Sequence, residues 1–258
     1  MKHLDRCGEV QILVKSGDHA IDAVYRVLKR RGFSTILTPD QGGWLTYVPY
    51  AKRKKFEILE LPTDAGLLDH KTIPKVSRAA LILNSLPAYA FEQDMVALRK
   101  RCKDLGILLI NDVSGSIGTN LASCGDVFVG SFGKHKPVNM HYGGFVGAPS
   151  DWLGEVSASF DKERIAELQS HLAGLDARLA WLRSKAEDIK KDLHKYAIVH
   201  KHHSGINVIV RFSSDEERLA LEKYCRNHDL PFVLCPKKIR ILDPAMSIEV
   251  KRLTSSFL

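Results

Sequence analysis

The sequence predicts an α/β fold: a mainly parallel sheet sandwiched by helices, joined to a small C-terminal α+β domain. Three observations carry this expectation. Short, continuously apolar runs such as Ala79–Asn84 alternate with segments of helical periodicity, the pattern of strands buried on both faces. The alternation stops near Pro149, and a different grammar follows. With 258 residues, 45% hydrophobic and 26% charged, the chain can bury one large core and a modest second one, and it is too apolar for disorder.

The elements are justified in order. Residues 16–31 carry apolar side chains at helical spacing (Ala20, Ile21, Ala23, Val24, Val27, Leu28), with Ser16 as N-cap and Gly32 as stop. A β-branched run at 34–38 is followed by the breaker cluster from Pro39 to Gly43. An amphipathic stretch at 44–55 then leads into a strand at 56–61. Further strands are expected at 79–84, 107–111, 126–130 and 144–148, with a helix at 91–105 stopped by Gly106. Beyond Pro149, residues 161–196 read as a long helix with Leu168, Leu172, Leu175, Leu179 and Leu182 on one stripe, bent at Gly174. A strand at 206–212, the helix Asp215–Asn227 and short strands at 238–242 and 247–250 complete the small unit. The expected division is therefore a large domain at 1–150 and a small C-terminal domain at 151–258, entered through the long helix.

Composition excludes several classes of function. No run approaches the ~18 apolar residues of a membrane span, and the N-terminus lacks the apolar stretch of a secretory signal, so a cytoplasmic protein is expected. Five scattered cysteines (Cys7, Cys102, Cys124, Cys225, Cys235) without a CxxC pair indicate free thiols rather than a disulfide framework or zinc knuckle. The net charge of +8 sits mostly in residues 1–150, where 20 Lys and Arg face 14 Asp and Glu. Its basic clusters lie near predicted helix ends and read first as solvated charge complementing the dipole, second as attraction for an anionic partner. The tract His200, Lys201, His202, His203 lacks a spaced metal-ligand partner and reads as a solvated turn.

In an open parallel sheet, ligands bind beyond the carboxyl ends of the strands. Three such places hold suggestive chemistry. Ser16, Gly17, Asp18 and His19 open the first helix and offer unpaired backbone N–H groups to an anion. Asp112 follows a strand and precedes a flexible run from Val113 to Gly118. Ser131 ends another strand and leads through Phe132 and Lys134 to Lys136. Each has a plainer reading as a cap, a turn acid or surface charge, but their order on one α/β chain is suggestive.

That order resembles the fold-type I pyridoxal phosphate (PLP) enzymes, and most closely the DegT/DnrJ/StrS-type branch, largely sugar aminotransferases. There a serine-glycine-threonine turn opens the first helix and holds the cofactor phosphate; Ser16, Gly17 and Asp18 stand in that place. Asp18 replaces threonine, and its carboxylate is expected to turn away from the phosphate. The branch's phenylalanine, lysine four residues on and glycine pair seven and eight beyond the lysine are matched by Phe132, Lys136, Gly143 and Gly144. This spacing selects Lys136 over Lys134 as the Schiff-base lysine. Three residues past its aspartate the branch usually carries glutamine or histidine, which contacts the cofactor ring oxygen; Gly115 stands there, flanked by Ser114 and Ser116. A serine is the expected substitute. The resemblance covers residues 12–150, and the remainder in outline.

The resemblance implies a PLP-dependent aminotransferase acting on an amino acid donor and a small carbonyl acceptor through a Lys136 aldimine. Lys136 would serve as nucleophile and then as general base and acid, as a desolvated site near other cations allows. Asp112 would pair with the pyridine nitrogen and keep it protonated. The amides from Gly17 to His19 and the Ser131 hydroxyl would hold the phosphate, and Trp44 would pack on the cofactor face. Arg240 is the candidate for the substrate carboxylate. A homodimer is implied, with residues 139–142 reaching the partner's site. Two rival readings stand beside this one. Cys235 suggests a lyase or sulfur-transfer reaction, and the basic balance suggests a non-catalytic module binding nucleic acid such as tRNA, although no recognised RNA-binding motif is present.

Overall fold

A computed structural model of the protein describes residues 2–154 and 156–254. Along the chain the elements run β1 (Val10–Val14), α1 (Gly17–Arg30), β2 (Thr35–Pro39), α2 (Tyr47–Arg53), β3 (Glu57–Leu61), β4 (Ala79–Asn84), α3 (Met95–Leu105), β5 (Leu108–Asp112), β6 (Val127–Ser131) and β7 (Gly144–Ala148). The C-terminal part holds α4 (Ser150–Leu153), α5 (Ile165–Ala173), α6 (Leu175–Asp192), β8 (Ala197–Ile198), β9 (Val208–Arg211), α7 (Asp215–Asn227), β10 (Phe232–Cys235) and β11 (Ala245–Ile248).

The first seven strands form one sheet in the order β1-β7-β6-β5-β4-β2-β3. Strands β6, β5, β4, β2 and β3 are parallel; β7 runs antiparallel to both of its neighbours, β6 and β1. Period-two geometry sends alternate residues of each strand to opposite faces. Along β4, Ala80 and Ile82 meet Ile21, Val24 and Leu28 of α1 on one face, whereas Leu81 and Leu83 meet Met95 and Leu98 of α3 on the other. Both faces are covered, which is why the strand reads as an unbroken apolar run. Burying a side chain such as Leu81 stabilises the fold by about 1.5–3 kcal/mol.

The helix ends follow from capping chemistry. Ser16 accepts a hydrogen bond from the His19 amide at the start of α1, Asp94 does the same for Ala97 in α3, and Gly106 closes α3 in the left-handed conformation. The segment at 91–94 therefore lies outside α3, which starts later than periodicity indicated. The expected long helix is broken at Gly174 into α5 and α6. Its leucine stripe (Leu168, Leu172, Leu175, Leu179, Leu182) packs in one core cluster with Val208 and Val210 of β9, Ile248 of β11, and Val113 and Ile117 beyond β5. Thus the stripe joins the two sheets.

Two strand expectations need correction. Strand β1, an edge strand with Val10 exposed, was not anticipated, because one partly exposed run of five residues carries little periodic signal. In the second sheet, ordered β10-β11-β9-β8, residues 232–235 form the strand, whereas 238–241 form a turn closed by the Arg240 amide on the Lys237 carbonyl.

Candidate active site

The carboxyl ends of β5 and β6 and the start of α1 line a cavity of about 80 Å³. Ser16, Gly17, Asp18, Ile21, Trp44, Asp112, Ser114, Val129, Gly130, Ser131 and Lys136 line it. Residues widely separated in sequence thus share one enclosure. His19 does not join them: its side chain is exposed, and both its amide and its Nδ1 lie against Ser16 Oγ. The amides of Gly17 and Asp18 remain at the helix start, where no carbonyl one turn earlier can meet them. Gly17 is required by close approach, since a Cβ there would lie 2.7 Å from Ser131 Cβ. The Ser131 hydroxyl, 3.2 Å from the Gly133 amide, faces the same helix start.

The Asp18 carboxylate turns to partners on the segment before α2. Its Oδ1 accepts from Trp44 Nε1 at 2.7 Å and from Thr46 Oγ1 at 3.0 Å. The bond fixes the indole, whose ring centre lies 4.3 Å from Lys136 Nζ. Cation and aromatic face attract at this distance.

Asp112 is buried at the end of β5. Oδ1 accepts the Ser114 amide at 2.9 Å and Oδ2 accepts the Tyr47 hydroxyl at 2.5 Å. Tyr47 comes from α2 and is itself buried; burial first, and the Asp112 charge second, raise its hydroxyl well above the usual phenol range, so it stays a donor. The sequence reading missed this tyrosine, which looks like an ordinary apolar-face residue of a short helix.

Lys136 is held by the loop between β6 and β7. Phe132 is buried and stacks on Phe145, while the Met140 amide bonds the Phe132 carbonyl at 2.8 Å and the His135 amide bonds Asn139 Oδ1 at 2.8 Å. The glycine pair has a steric cause: a Cβ at Gly144 would lie 2.5 Å from the Gly130 carbonyl and 2.8 Å from the Gly17 nitrogen. The loop end therefore packs directly on the helix start. Lys136 Nζ donates to the Tyr89 hydroxyl at 2.5 Å. Tyr89 was also missed, although it lies just beyond the end of β4, where the strand-end rule directs the search.

The structure corrects the expectation for Arg240. Its guanidinium is buried and makes two 2.6 Å bonds to the two carboxylate oxygens of Glu249. An arginine whose fork is already filled by a carboxylate is not available to a second one. Lys251 and Arg252 also approach Glu249, at 3.3 and 3.2 Å. Burial opposes ionisation of Glu249, but the Arg240 hydrogen bonds, the Lys251 and Arg240 charges and Ser247 hold its carboxyl at about 2. Three cations thus share one anion. Lys251 carries the cost: burial first, with repulsion from Arg240 and Lys136, lowers it from 10.5 to about 7 despite the attraction of Glu249.

Cys235 does not line the cavity, and burial pushes its thiol up, away from the reactive thiolate. His200 Nε2 and His203 Nδ1 are within 3.0 Å of the carbonyls of Asp64 and Glu92. Tyr142 packs within its own chain, its hydroxyl accepting from the Asp161 amide and its ring facing Arg164. No helix among the described residues is long and apolar enough to cross a membrane.

No protein-family model and no curated protein matches the sequence. Solved structures do resemble it. 3-Amino-5-hydroxybenzoic acid synthase superposes with a TM-score of 0.76 at 15% identity, over 98% of this chain and 85% of that one. The aminotransferase TlmJ from Streptoalloteichus hindustanus gives 0.76 at 13%, over 99% and 85%. A serine palmitoyltransferase variant from S. paucimobilis, with a bound PLP–myriocin aldimine, gives 0.76 at 14%, over 98% and 70%. At these identities the likeness is one of fold: the chain has the fold of the fold-type I PLP-dependent transferases.

Proposed function

We propose that this chain is a PLP-dependent enzyme, specifically an aminotransferase acting on an amino acid donor and a small carbonyl acceptor. The observation that carries the reading is the single cavity in which an anion-binding helix start, a buried acid and a buried amine meet beneath an indole. This donor set fits PLP. The amides of Gly17 and Asp18 with the Ser131 hydroxyl suit its phosphate, Asp112 its ring nitrogen, Trp44 its face and Lys136 its aldehyde. Bound there, the cofactor would supply an electron sink for charge developing at the substrate Cα.

The chain's own residues account for the rest. Asp112, with a donor on each oxygen, is held in a fixed orientation where it would face the ring nitrogen. Lys136 Nζ, aimed by Tyr89 and Trp44, would take a proton from one substrate carbon and return it elsewhere. Trp44, pinned by Asp18, would keep water from that amine. We assign the cofactor site to a large domain at 1–150, followed by a small C-terminal domain at 151–258, in a cytoplasmic homodimer. Five free cysteines accord with a reducing compartment, and the fold commonly builds its site at a two-fold interface.

The test is chemical. Purified protein incubated with PLP should gain a visible band, lose it on borohydride reduction, and carry the pyridoxyl group on Lys136 by mass spectrometry. Lys136→Ala should abolish the adduct and Lys134→Ala should not. An adduct on another lysine, or no uptake, refutes the proposal. Accumulation of pyridoxamine phosphate with an amino acid donor marks transamination rather than elimination.

A further inference from the structure

Tyr89 occupies an unusual place. It and Ala88 have positive φ angles of 63° and 52°, a backbone state that non-glycine residues adopt only when surrounding contacts compel it. The contacts come from both sheets. The Ala88 amide bonds the Gly42 carbonyl at 3.1 Å, Asn207 Nδ2 bonds the Ala88 carbonyl at 2.9 Å, and the Ile206 amide bonds the Tyr89 carbonyl at 2.8 Å. The ring is then covered by cations: Lys251 Nζ lies 4.6 Å and the Arg240 guanidinium 5.9 Å from its centre. On another side it touches Gly115. A Cβ at position 115 would lie 2.9 and 3.0 Å from two Tyr89 ring carbons. The hydroxyl accepts from Lys136 Nζ at 2.5 Å.

We propose that Tyr89 is a positioning residue for Lys136, its hydroxyl accepting from the amine while its ring is seated against Gly115 and beneath the Lys251 and Arg240 cations. The ring needs the volume that glycine leaves at position 115, and the hydroxyl reaches the lysine from there. The Ser116 hydroxyl is tied to that of Ser85 at 2.7 Å. Because Asn207 also accepts the Lys251 amide at 3.3 Å, the C-terminal unit holds the strained turn and the cation above the ring together. The catalytic meaning rests on the PLP reading of Lys136, but the contact itself does not.

The test uses full-length protein without PLP, labelled at neutral pH with trace acetic anhydride and read by mass spectrometry as the ratio of Lys136 to exposed Lys134 acetylation. Tyr89→Phe keeps the ring and its cations while removing the acceptor. Loss of a charged hydrogen bond should raise that ratio on the order of tenfold. Gly115→Ala, which pushes the ring aside, should raise it too and stands in if Tyr89→Phe fails to fold. In PLP-loaded protein, the pH profile of the visible band should shift in Tyr89→Phe. An unchanged or lowered ratio, or an unshifted profile, overturns the proposal. Failure to load PLP sinks the enzyme reading and leaves the labelling ratio to decide this one.

Discussion

Lys251→Met should stabilise the protein at neutral pH, by an amount that fades as pH rises. Burial lowers Lys251 from 10.5 to about 7, so the ammonium is disfavoured in the folded state relative to the unfolded one. Below about pH 7 both states are protonated and the full penalty stands. Between about 7 and 10.5 the unfolded chain binds the extra proton, so stability rises with pH; above that window the penalty is gone. Each pH unit across the window is worth about 1.4 kcal/mol, roughly 5 kcal/mol in all. Glu249 is not stranded by the substitution, because Arg240 still fills both of its oxygens. Methionine fills a similar volume without a charge. Urea unfolding of both proteins, free of PLP, in steps across the window measures the gap; other groups cancel in the difference. A variant less stable at neutral pH, or a gap independent of pH, would refute the claim that burial of this ammonium outweighs its ion pair.

Two further outcomes are expected. Tyr47→Phe removes one of the two donors on a buried carboxylate, which should cost about 1.5–3 kcal/mol and lower Tm by several degrees in calorimetry; an unchanged Tm would show that the bond contributes nothing. Gly17→Ala forces a Cβ against Ser131 and should weaken PLP binding at least tenfold. Uptake of pyridoxal, which lacks the phosphate, should hardly change, and equal losses for both ligands would remove the phosphate from the helix start.

Much of the fold was legible because its determinants are local. The Ser16 cap, the strands Ala79–Asn84 and Gly144–Ala148 and the helix Asp215–Asn227 are set by spacing and capping within a few residues, and each forms where the pattern indicated. The strand-end rule pointed to Asp112 and Ser131, and the resemblance's spacing to Lys136; all three line one cavity. Tertiary structure alone decided the rest. Strand β1 exists because β7 offers it an edge, and Arg240 is unavailable because Glu249, nine residues later, folds back across a turn to meet it. Tyr47 and Tyr89 acquire meaning only through the acid and the amine that their hydroxyls touch, 65 and 47 residues away along the chain. Periodicity and caps report short-range sterics and solvent exposure; which polar groups share one cavity depends on long-range packing, and there partners, not residue types, determine charge and reactivity.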